Sequence, residues 1–164
     1  AMTMKADFVN SFLDLVVQVW RERLSVDLSF RETEVVSGVF VTEDLTAAVS
    51  VTGKLEGHVF YEFPEETSFA IAAVVEGEER GAVDESLFAL IGTFAEAMCA
   101  DTEQALARAG FPSEVATPVL LARGASVTIT EPQIWAHFDS DLGPLEVRVS
   151  LAETAGKHAV PSHR

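Results

Sequence analysis

A chain of 164 residues is long enough for one domain with a sizeable buried core. Hydrophobic residues make up 48% and charged residues 23%, a globular balance that excludes a disordered chain. The formal net charge of −15 argues against nucleic acid, which requires an excess of Lys and Arg, and disfavours anionic membrane surfaces. No apolar run approaches the ~20 residues that span a bilayer. The first residues show no basic segment followed by an apolar block, so no secretory signal is expected. The single Cys99 leaves no intramolecular disulfide and fits a reducing, cytoplasmic setting.

Phe8, Phe12, Val16 and Trp20 recur every four residues between Met4 and Leu24, with Val9 and Leu13 beside them, and predict an amphipathic helix. Strands follow. Val26, Leu28 and Phe30 alternate with Asp27 and Ser29, and Val35 to Val41 and Thr46 to Val51 continue in that manner, with Glu43-Asp44 as the turn. Thr52-Gly53-Lys54 is a second turn, and His58 to Phe63 a further strand. Pro64 opens a second helix, whose first turn carries Glu65 and Glu66 at the positive end of the dipole; Gly77 ends it. An acidic loop, Glu78 to Ala82, leads to a long helix from about Asp84 to Gly110. Phe111 to Arg123, Ala125 to Thr130, Ile134 to Phe138 and Leu145 to Leu151 are predicted strands. A single domain is expected over residues 1–151, with a flexible tail over 152–164. The order predicts an α/β or α+β fold of antiparallel hairpins packed on helices. A helix-then-strands unit that occurs twice hints at duplication.

The long helix supplies a second kind of information. Its run from Asp84 to Ala100, together with Val36-Ser37-Gly38-Val39-Phe40, Phe63-Pro64-Glu65-Glu66-Thr67, Thr117-Pro118-Val119 and Phe138 to Leu145, resembles the CheX family of CheC/CheX/FliY-type chemotaxis phosphatases in order and spacing. That resemblance implies a curved, largely antiparallel sheet covered by two long helices, and a homodimer whose subunits share a continuous sheet. It also implies a CheY-type phosphorylated receiver domain as partner. In the family a Glu-x-x-Asn pair does the chemistry: the Glu engages a receiver lysine, and the Asn orients water for attack on the phosphoaspartate. No cofactor is implied in this chain, because Mg²⁺ belongs to the receiver.

Here the two matching positions are Thr93 and Glu96. Residues three apart share a helix face, and the apolar stripe Leu87, Ile91, Phe94, Met98, Thr102 and Leu106 lies opposite, so both side chains are expected to project outward. Phosphoryl hydrolysis depends on positioning and electrostatics rather than on a covalent step. Thr93 is too short and neutral to clamp a lysine. Glu96 brings a carboxylate, which costs about 1–4 kcal/mol at ~4 Å from a phosphoryl charge. That amounts to roughly one to three decades in rate. A carboxylate can also accept a proton from water, which an amide cannot. Three readings stay open: phosphatase action through Glu96, a catalytically inactive homodimeric adaptor, and a protein whose whole role is its dimer interface.

Other candidates carry less. Asp7-x-x-Asn10 imitates the acid-x-x-Asn spacing on the first helix, but Asp7 stands where acids commonly cap or balance the dipole. His58 and His137 fall in strands with no Cys or His at metal-ligand spacing and are read as surface or interface residues. Cys99 is read as a packing residue, and Trp20 and Trp135 as core or dimer packing.

Overall fold

The computed structural model describes residues 6–154, with side chains from Val9 onward. Three helices, α1 (Ala6–Leu24), α2 (Glu65–Glu76) and α3 (Glu85–Arg108), accompany seven strands. The strands are β1 (Ser29–Val41), β2 (Leu45–Gly53), β3 (Leu55–Phe63), β4 (Ser113–Val115), β5 (Val119–Leu121), β6 (Ser126–Asp139) and β7 (Leu145–Glu153). All pair antiparallel in the order β1-β6-β7-β3-β2-β4, with β5 also on β2. Since β4 and β5 both lie along the outer side of β2, the order is palindromic in rank, and the halves exchange their first strands: β1 lies outside β6 and β7, and β4 and β5 lie outside β2 and β3. The helix-then-strands order read twice in the sequence is present in the fold. No described helix is long and apolar enough to cross a membrane.

The core lies between one face of the sheet and the helices. Leu45, Ala47, Val49 and Val51 of β2 alternate inward, as do Val59, Tyr61 and Phe63 of β3 and Leu145, Val147, Val149 and Leu151 of β7. From α1 come Val9, Phe12, Leu13, Val16, Val19, Trp20 and Leu24. The α2 start is tied to the β6–β7 turn by Thr67 Oγ1, which donates to the Pro144 carbonyl at 2.6 Å. Gly143 sits so close to Thr67 that a Cβ there would collide with it. Two sequence segments that carried the family resemblance therefore meet in space. Gly77, left-handed at φ 74°, ends α2 as expected.

Several strand boundaries differ from the sequence reading. The first strand begins at Ser29, because Val26 and Asp27 are spent on the exit from α1, where Arg21 pairs with Asp27 at 2.7 Å. The predicted 111–123 strand is broken at 116–118, where Pro118 has no N–H for the ladder. The 125–130 and 134–138 strands are one strand, β6, bent at a bulge over 130–132 opposite Ser37. The last strand runs on to Glu153, and the buried Thr154 hydroxyl donates to the Gly53 carbonyl, so order extends past the expected start of the tail. The remainder of that tail lies outside the described residues.

The bend matters for the shape. β1 lies three strands from β3, or roughly 14 Å at ordinary strand spacing. Yet the Phe40 and Phe60 rings are 5.4 Å apart, edge to face. The outer half of the β1–β6 ribbon therefore curls over the face that the helices leave open. Thr42 closes the curl: its Oγ1 donates to the Ala122 carbonyl at 2.7 Å and its N–H to the Ala125 carbonyl at 2.9 Å.

Candidate functional site

Helix α3 is built to be rigid. Asp84 caps its start, with its carboxylate accepting from the Leu87 N–H at 2.9 Å. Leu87, Ile91, Phe94, Met98, Thr102 and Leu106 are all buried, so the inward stripe read from the sequence is the one observed. Phe94 anchors the middle, edge-on to Trp20 of α1 at 5.9 Å and to Phe63 of β3 at 6.2 Å. Arg23 of α1 makes a bidentate pair with Asp101, its shortest contact 2.8 Å. Glu103 accepts the Val115 N–H at 2.7 Å and clips α3 to β4. Gly92 lies against Leu120 of β5.

On the opposite side, Ala89, Thr93, Glu96 and Ala100 are exposed in a row. Thr93 and Glu96 stand one turn apart, held by the core beneath them. Among the described residues, neither makes a side-chain hydrogen bond or ion pair. The helix thus offers a hydroxyl and a carboxylate to solvent on a face of small residues. Cys99, one turn beyond Glu96, is buried, and burial together with Glu96 and Glu103 pushes its thiol up to about 12. It is a packing residue without thiolate reactivity at neutral pH.

The remaining candidates are dispersed. Asp7 lies in the first turn of α1, its side chain outside the description, and Asn10 is exposed. His58 is exposed on the open face of the sheet, between Ser50 and Ser150. Trp20 is fully buried in the core. Trp135 is half-buried on the other face, where the Arg148 guanidinium lies 4.0 Å from its ring centroid and 3.9 Å from that of Phe40. Arg148 also donates to Glu62 at 2.8 Å. His137, by contrast, sits between two carboxylates, Glu34 and Glu146. Sequence spacing could not reveal that cluster, because Glu34 lies 103 residues away and reaches it only through sheet pairing.

A curved antiparallel sheet with long helices on one face defines a CheC-like fold. A CheC-like superfamily protein from Shewanella sp. PV-4 superposes with a TM-score of 0.73 at 20% identity, covering 91% of this chain and 98% of that one. The CheX–CheY–BeF3–Mg²⁺ complex from Borrelia burgdorferi matches at a TM-score of 0.69 and 20% identity, covering 91% of this chain and all of that one. In sequence, the chain is 23% identical over 120 residues to the CheY-P phosphatase CheX of Thermotoga maritima, spanning 73% of this chain and 77% of that protein. The family model for the chemotaxis phosphatase CheX matches residues 45–139, more than half of the chain, and the protein belongs to that family.

Proposed function

We propose that this protein docks a phosphorylated CheY-type receiver with the exposed face of α3 and promotes phosphoaspartate hydrolysis slowly, through Glu96. The observation that carries this reading is the pair Thr93 and Glu96: both exposed, one turn apart, without partners among the described residues, on a helix pinned by Phe94 and Asp101. Membership of the CheX family and the likeness to a CheX bound to CheY support the choice of partner. The chain's part is to position. A rigid helix costs little ordering entropy on docking, and the small residues Ala89 and Ala100 leave room for a close approach. Glu96 then orients and accepts a proton from the attacking water. Mg²⁺ comes with the receiver, and the setting is the cytoplasm.

A second reading is binding without hydrolysis, favoured by the carboxylate at position 96, which repels a phosphoryl group where an amide would not. A phosphate-release assay with phosphorylated receiver and Mg²⁺ separates the two. Release above receiver autodephosphorylation, lost in Glu96→Ala, is expected for the first. A rate equal to autodephosphorylation at saturating protein removes it. In the double variant T93E/E96N, release is expected to rise by about one to three decades. No gain there would mean that α3 does not dock as proposed.

The working unit is a homodimer joined along the β1 edge. This strand has one neighbour in the sheet, and it exposes Phe30, Val35, Val39 and Val41. Such an edge is a template for pairing with a second copy.

A further inference from the structure

His137 lies on β6 between β1 and β7, and its ring touches both neighbours. Nδ1 is 2.9 Å from Glu146 Oε2 on β7, and Nε2 is 2.9 Å from Glu34 Oε2 on β1. A neutral imidazole has one N–H, so it serves one carboxylate and turns a lone pair towards the other. Only the imidazolium donates to both. The other charged groups around it come from the same three strands. Glu32 of β1 stands opposite His137 in the ladder, and Arg31 of β1 is held by Asp139 of β6 at 3.2 Å. Arg148 of β7 is occupied by Glu62. Arg123, before β6, lines a pocket with Asp44 and Glu146, but among the described residues only His137 pairs with both Glu34 and Glu146.

We propose that His137 is a proton-operated clasp on the sheet edge: charged, it ties β1 to β6 and β7; neutral, it lets Glu34 go and loosens β1. Burial pulls the imidazole pKa down, but the hydrogen bonds to Glu146 and Glu34 outweigh it, and the group stands above the ordinary 6.5. A raised folded pKa means that the stabilisation is complete below the unfolded value and is lost as pH rises through the folded one. The clasp therefore closes in acid and opens in alkali. β1 is the strand that would respond, because within one chain β6 is its one ladder neighbour among the described strands.

Backbone amide exchange of the intact chain tests this, corrected for intrinsic rates and followed from about pH 6 to about pH 9. Protection of the β1 amides around Glu32 to Val35, relative to those of β3, is expected to fall with rising pH. The fall is up to about tenfold for each pK unit by which the imidazole is raised. It should coincide with the His137 titration seen by ¹⁵N resonance. His137→Gln should flatten the dependence, and His137→Lys should preserve protection at high pH. If His137→Gln does not fold, Glu34→Gln, at the exposed edge, should lower the His137 midpoint and weaken β1 protection. Wild-type β1 tracking β3 at every pH overturns the proposal, as does a His137→Gln profile that keeps the wild-type dependence or a midpoint unmoved by Glu34→Gln.

Discussion

Thr93 and Glu96 contribute almost nothing to the fold, and Phe94 between them contributes a great deal. The first two face solvent without partners among the described residues, whereas Phe94 is 5% exposed and fills the junction of α1, α3 and β3. Glu96→Gln is expected to leave stability within about 0.5 kcal/mol of wild type. Phe94→Ala is expected to cost about 3–5 kcal/mol through the cavity it leaves. Urea unfolding of both variants checks this, and a large loss in Glu96→Gln would mean that its side chain is bound within the protein. The same separation lets the 93/96 pair vary without harm to the scaffold, and it makes the T93E/E96N gain a clean test of docking. The outward direction of both residues was readable from the chain, since their positions relative to Leu87, Ile91 and Phe94 follow from the helical period alone.

At the scale of elements, the curled β1–β6 ribbon packs its rings on a buried ion pair that joins β7 to β3. Arg148 and Glu62 are 7% and 5% exposed, and Phe40 and Trp135 enclose the guanidinium. Burial pushes the Glu62 carboxyl up, an effect that Arg148 opposes without cancelling. Arg148→Met leaves that carboxyl buried and unpaired, at an expected cost of about 3–5 kcal/mol. The deficit should grow as pH rises past the ordinary carboxyl range, because the unfolded chain ionises there while the folded one resists. Arg148→Met with Glu62→Gln should recover most of the loss. Thermal unfolding across pH checks the set, and a double variant no better than the single one would refute the pair's role. None of this was legible beforehand. Phe40, Phe60, Trp135 and Arg148 come from four strands, and the bend at Pro132 that gathers them read as a gap between two separate strands.

For the whole molecule, the exposed β1 edge predicts a species of twice the chain mass by light scattering, shifted towards monomer by Val35→Lys with Val39→Lys. A monomer at every soluble concentration would remove the dimer. The chain itself determined its helices, their inward faces and its family, because periodicity, caps and short motifs are local properties that a linear string can hold. Asp84, Pro64 and Gly77 marked the helix ends by their own chemistry. Only the tertiary structure decided the palindromic strand order, the curl that brings Phe40 onto Phe60, and the carboxylates around His137. Those depend on which strands lie side by side, and pairing between residues about a hundred positions apart is chosen by burial of the whole sheet rather than by any segment's own preference.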